Sequence, residues 1–432
     1  EWVEVSLALP GERVEAVEVR SGAKTIPSVL LGIGEITQLA LLAEVPALGF
    51  SSYSVHPVKK APPRAASGVT FDESKLLIQS PHWKIRLDPE GGFAALQDRR
   101  TGKEFLQPGR RSGFFAGRIE GVDSESKGAW DVLPGPQGAP WITARETGAI
   151  AGIPYTLHLT LRADSPRLDF SAHFHFNNQR IGVLSDRPRD PVSGFIHEAK
   201  LRFKAFWAVG EAAAGIRDVP FAIAATSNPY VEGIYWAALS DGHTGAAVFN
   251  RGSMGTVREK DGGFSIPLAF AMYYVWGTRM LKGDFNYEFA LYPFEGDWNR
   301  ADLHRRALEY NCPFVAVGTQ PGDGSHGNEI QLLEAGDPAA IVTALYTAGG
   351  RTYVRLFAYR GQPAEVDLRY LKGPARLAEA DLAGNEKGAL ASRIALRPWQ
   401  FITVRIEPLG GGDGESCLCY HVARCSPAWR SR

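Results

Sequence analysis

A 432-residue chain with 44% hydrophobic and 22% charged residues carries enough apolar material for about two to four cored domains. Its 47 basic side chains match 47 acidic ones, which removes the basic excess that a nucleic-acid or anionic-membrane partner calls for. No apolar run reaches the roughly 18 residues of a membrane helix, so a soluble, non-spanning protein is expected, with the cytoplasm ahead of other locations.

The opening stretch EWVEVSLALPGE alternates apolar and polar residues as a half-buried strand does, and it lacks the basic region and apolar core of a secretory leader. It has no initiator Met, so residue 1 is not read as a natural start. A Pro-rich basic segment from His56 to Gly68 separates this strand region from the next. Beyond it HWKIRLD (from His82), YTLHLTLRAD (from Tyr155), RLDFSAHFHF (from Arg167) and EAKLRFKAF (from Glu198) repeat the alternation, with 47 glycines and 28 prolines to make the turns. The longest apolar run, Ile266 to Gly277, reads as a buried strand pair.

One helix is predicted, within FEGDWNRADLHRRALEYNCPF. Asn299 is placed as its N-cap and Asp302 at its third residue, near the positive end of the dipole. Leu303, Ala307 and Tyr310 share one apolar face, which leaves His304, Arg305, Arg306 and Glu309 in water. Pro313 stops the segment near Asn311. The helix lies just before a Gly-rich polar linker, Gly318 to Glu329, and is expected to seal a domain junction. YVRLFAYR (from Tyr353) marks a last β region, and the aperiodic end of the chain reads as a disordered tail.

These elements sum to an all-β chain. We expect a small β module at 1–58, a large sandwich of two broad facing sheets at 69–317, a small C-terminal β-sandwich at 328–408 and a disordered tail at 409–432.

The chemistry is harder to find. His173 and His175 lie on the same face of one strand because side chains alternate, the beginning of a metal pair, but no carboxylate or cysteine follows at a completing spacing. They are read as satisfied by neighbours. Cys417, Cys419, His421 and Cys425 crowd the tail without a standard zinc spacing, so no metal is assigned there, and Cys312 reads as a small buried hydrophobe. Glu198, Glu232, Asp241 and Asp297 sit near aromatic or Gly-rich segments, and each is read as a surface or turn carboxylate. No nucleophile elbow, phosphate loop or dinucleotide fingerprint is present. One aromatic stretch, Ser227 to Gly255, holds Tyr230, Tyr235 and Trp236 among turn residues ahead of an Asn250–Arg251–Gly252 loop. Aromatic faces stack on sugars while amide and guanidinium groups bond hydroxyls, so Tyr230, Trp236, Asn250, Arg251 and Gly252 are the candidate substrate-binding residues; core packing explains them equally well.

Five segments in order, Glu44 to Val55, His82 to Leu106, Ala246 to Gly255, Tyr287 to Phe314 and Arg397 to Pro408, resemble glycoside hydrolase family 38, the α-mannosidases, across about residues 1 to 408. The resemblance implies a retaining hydrolase whose zinc ion and Asp nucleophile sit in an N-terminal α/β domain, followed by a helical bundle and then by β domains with a large mutarotase-like supersandwich. It assigns this chain to the β portion. The family's zinc motif opens with His-x-Asp, and none of the ten histidines here has Asp two residues on. Zinc is therefore expected in the full-length family enzyme and not in this chain, which is expected to carry no catalytic residue, to be inactive alone and to have mannosides and a missing catalytic domain as its partners. The family leads us to expect an Arg in the strand after the Asn250–Gly252 loop, where this chain has Tyr273 and Tyr274. Two other readings stand beside this one: a non-catalytic carbohydrate-binding or structural β protein, and a mutarotase-like enzyme drawing acid and base from His173, His175 and Glu198.

Overall fold

The computed structural model describes residues 1–9, 15–59, 68–133, 135–136, 138–183, 193–271, 280–319 and 328–409. Strand is their dominant structure, as expected, with one α-helix at Leu303–Asn311. The cysteine-rich tail, Tyr273 and Tyr274 lie outside the described residues. Two compact units emerge. The middle unit comprises the described residues of Arg64–Val219 and Ala224–Asn311; the terminal unit comprises those of Glu1–Pro63, Pro220–Ile223 and Cys312–Arg432.

The middle unit is built on a nine-stranded and a six-stranded antiparallel sheet. In the nine-stranded sheet, Ile153–Arg162 sends Tyr155, Leu157, Leu159 and Leu161 to one face, and its neighbour Leu168–Gln179 sends Phe170, Phe174 and Phe176 to the same face. The six-stranded sheet answers with Phe115 and Phe203. Phe115 meets Phe174 edge-on at 4.8 Å, and Phe203 lies 4.8 Å from Phe289. Aromatic rings from both sheets thus interdigitate in one core, the arrangement that gives two stacked sheets their stability. This is the large sandwich of two broad facing sheets that the alternating sequence predicts.

The helix lies on the other face of the nine-stranded sheet, over Trp236–Ser240 and Thr244–Arg251. Leu303, Ala307 and Tyr310 are buried as expected, and the helix does end at Asn311, whose side-chain amide donates to Ala307 O at 2.9 Å. Two expectations fail. Asp302 adopts φ 53°, a left-handed conformation that interrupts the turn begun at Asp297, so the helix starts at Leu303 and not beside Asn299. Asp297 takes the capping part in the preceding turn, accepting the Arg300 N–H at 2.7 Å. His304 is buried as well, because the face packed on the sheet is wider than one residue stripe, and Trp236 Nε1 donates to its Nδ1 at 3.3 Å. Arg306 and Glu309 are exposed and pair at 2.8 Å.

In the terminal unit, residues 1–59 form two three-stranded sheets, and 328–409 supply a three-stranded and a five-stranded sheet over a core of Val354, Leu356, Val366 and Val404. The two stretches were read from sequence as separate modules; here Gly49–Ser51 pairs antiparallel with Glu329–Gln331 inside one unit. Gly49 is required at that crossing, since a Cβ there would lie 2.0 Å from Ile330 O. Cys312 is exposed and does not fill a core as expected, for it falls at the end of the helix, after the last buried residue of the apolar face.

Candidate functional site

The sequence-predicted site residues divide on inspection. Trp236 and Asn250 are buried, at 0% and 2% exposure, because both lie within strands of the nine-stranded sheet. Trp236 therefore has no face to offer a sugar, which corrects the expectation, and its ring lies 6.3 Å from that of Trp298. Asn250 Nδ2 donates to Gly233 O at 2.9 Å, a positioning bond and not a ligand contact. Arg251 is committed internally as well: it pairs with Glu288 at 3.0 Å, its guanidinium lies 4.2 Å over the Tyr310 ring, and Nη2 donates to Tyr310 O. Gly252 is exposed at φ 97° with open space where a Cβ would be. Tyr230 is 39% exposed.

Backbone bonds bring the Gly252 loop and Tyr230 to one edge of the middle unit. Tyr230–Glu232 is the last strand of the six-stranded sheet, and just beyond it the Gly233 N–H donates to Met254 O at 3.0 Å. Two side chains missed from sequence complete the cluster. His197, in a short 3-10 turn at His197–Ala199, places its ring 4.4 Å from that of Tyr230, and Tyr230 OH donates to Phe195 O at 3.4 Å. Lys200 Nζ lies 3.3 Å from His197 Nδ1 and 4.4 Å from the Phe270 ring centre. Phe195, Ile234, Met254 and Phe270 are exposed around this edge, an apolar rim on a polar centre.

Burial sets the electrostatics. It pulls the Lys200 ammonium below its usual range, against the attraction of Glu232, and it pulls His197 down too, helped by Lys200. His197 is then neutral at pH 7, and with the ammonium donating to Nδ1 the ring proton belongs on Nε2. The edge can stack on an apolar ring face through Tyr230 and bond hydroxyls through Lys200, Glu232 and the imidazole. Its only sequence signal is HEAK, from His197 to Lys200, which reads as the entry to a strand.

Among the carboxylates, Asp241 accepts the N–H groups of Gly210, His243 and Thr244 at 2.7, 2.8 and 2.7 Å, so it is a turn residue. Glu198 accepts the Lys260 N–H at 3.3 Å. His173 and His175 do share a strand face, and both reach Asp284 on the paired strand, at 3.4 and 2.8 Å. That carboxylate lies 109 residues beyond His175, a spacing no local motif reveals. Among the described residues no group of three or more His, Cys, Asp or Glu side chains is arranged to hold a metal ion. Nor is any helix among them long and apolar enough to cross a membrane.

No protein-family model matches the chain, and neither does any curated protein. Solved structures do. A glycosyl hydrolase family 38 protein from Enterococcus faecalis superposes with a TM-score of 0.72 at 14% identity, over 94% of this chain and 56% of its own. An α-mannosidase from Enterococcus faecalis V583 gives 0.72 at 13% identity, over 94% and 54%. The chain has the fold of a large part of these proteins and spans little more than half their length.

Proposed function

We propose that this chain is the β-sheet portion of an α-mannosidase-type glycoside hydrolase, serving as scaffold and as a carbohydrate-facing wall, and inactive by itself. The observation that carries the reading is the superposition over 94% of the chain on two such proteins, of which it covers only 56% and 54%. In this reading the Tyr230–His197 edge and the Gly252 loop contribute the wall, Tyr230 by stacking and His197 and Lys200 by bonding hydroxyls. Attack on the anomeric carbon would belong to a separate domain, and no step of it is assigned to the described residues of this chain.

The test is nitrophenol release from an aryl α-mannoside, with zinc added, by the purified chain alone and mixed with a separately expressed catalytic domain of the same family. No release alone and release above that of the catalytic domain on mixing is the expected result. Turnover by the chain alone would overturn the inactive-portion reading, and no gain on mixing would remove the support for a scaffold role.

A further inference from the structure

The terminal unit holds a second feature that the mannosidase reading does not use. A depression of about 540 Å³ is lined by Trp399, Phe401, Gln400, Arg397, Glu379 and Lys387, among others, a volume within the usual range of small-ligand sites. Its floor is a tight turn from Arg397 to Gln400 in which Gln400 N–H donates to Arg397 O at 3.0 Å. Trp399 occupies that turn at φ 60°, where glycine or asparagine is the usual residue. A bulky side chain in this conformation is strained, and such strain is retained where the side chain has a use.

The neighbourhood is made to receive the indole. Gly361, itself at φ 70°, lies so close that a Cβ would meet Trp399 Cζ2 at 2.6 Å, so only glycine fits beneath the ring. The Trp399 N–H donates to Ala358 O at 3.1 Å, which fixes the turn to the sheet. Lining also comes from the hairpin of Ala375–Ala380 and Glu386–Leu390, whose connection is tied by Asp381: its carboxylate accepts from the Ala383 and Asn385 N–H groups and the Asn385 amide, each at 2.9 Å. That hairpin carries Glu379 and Lys387, 3.6 Å apart. Gln400 Oε1 is occupied by the Arg397 N–H at 2.9 Å, which leaves its NH2 as the donor end.

We infer that this depression binds one ring of a neutral oligosaccharide, with Trp399 as the stacking face and Glu379, Lys387 and Gln400 bonding the ring hydroxyls. The chemistry selects the class. Glu379 and Lys387 already offset each other at 3.6 Å, which leaves that pair no uncompensated charge to select a free ion, and an apolar molecule would desolvate the charges without replacing their bonds. A hydroxyl donates to the carboxylate and accepts from the ammonium and the amide, and adjacent hydroxyls on one ring do both together. Aromatic contact with the carbon face of a pyranose supplies the apolar part.

The site is independent of the mannosidase reading, so it is tested by binding and not by turnover. Saturation-transfer NMR on the full chain, with mannotriose, maltotriose and cellotriose each at about 10 mM, reads weak sugar binding directly. Transfer to at least one trisaccharide is expected, reduced about tenfold in Trp399→Ala, Glu379→Gln and Lys387→Ala, and unchanged in Val122→Ala, an exposed residue outside both sugar-facing sites. Glu379 and Lys387 are partly solvent-exposed, so those two variants keep the test valid should Trp399→Ala fail to fold. Absence of transfer to all three sugars overturns the inference, and so does transfer that survives in all three depression variants. Loss in Tyr230→Ala alone would overturn it while favouring a sugar at the middle unit's edge.

Discussion

His304 is buried against Trp236, and burial lowers its pKa to about 4 from the ordinary 6.5. Between those values the unfolded chain binds the extra proton, so stability is complete above pH 6.5 and is lost as pH falls toward 4, by up to about 3 kcal/mol. Urea midpoints measured from pH 7 to pH 4 should fall, and His304→Gln, which keeps an acceptor for Trp236, should flatten that slope. Glu146 has the opposite sign. One carboxylate oxygen accepts from Tyr155 OH and the other from the Gly92 N–H at 2.9 Å, yet burial dominates and raises its pKa. Its contribution is present below the ordinary carboxylate range and lost as pH rises through the raised value. Glu146→Gln, with both bonds replaceable, should be near neutral at pH 5 and more stable than the parent at pH 8, again by urea unfolding. Neither residue was legible in the sequence: one Glu inside an alternating strand and one His beside an apolar stripe look like solvated side chains until the packing on each is known.

At the level of elements, alternation was enough to find the strands, because a face that packs on a second sheet demands an apolar residue at every other position. The helix was legible for the same reason, through Leu303, Ala307 and Tyr310. Its first turn was not, since the left-handed Asp302 breaks a segment that has every ordinary starting signal. The conformation gives a sharp prediction. Asp302→Gly should leave thermal stability almost unchanged, whereas Asp302→Val should cost about 2 kcal/mol, the penalty for a β-branched residue at positive φ. Equal effects of the two substitutions would mean that φ at this position is not left-handed. The site edge escaped for a different reason: Tyr230 was named from composition, but His197 and Lys200 reach it from a short 3-10 turn and the residue after it, distant in sequence, and no spacing rule connects them.

At the level of the molecule, the terminal unit depends on a strand pair that joins its two halves. Gly49 lies where any side chain would strike Ile330 O. Gly49→Ala should therefore destabilise this unit by about 1–3 kcal/mol, the usual cost of overfilling a tight contact, and deprotect the amides of Phe50 and Ile330 to hydrogen exchange. Protection equal to the parent's would show that the pairing tolerates a Cβ. Sequence reading divided this unit in two because each half has its own strand runs, and three-residue strands such as Gly49–Ser51 carry too few side chains to reveal a partner.

That crossing also sets an order of events on the ribosome. Phe50 and its partner Ile330 are about 280 residues apart, and at roughly 5–20 residues per second the first waits about 14–56 s for the second to be made. Through that interval the N-terminal sheets exist without the strand that completes them, while the whole middle unit emerges and closes. Chaperone capture during synthesis should consequently fall on residues 1–59, and end when Glu329–Gln331 leaves the exit tunnel.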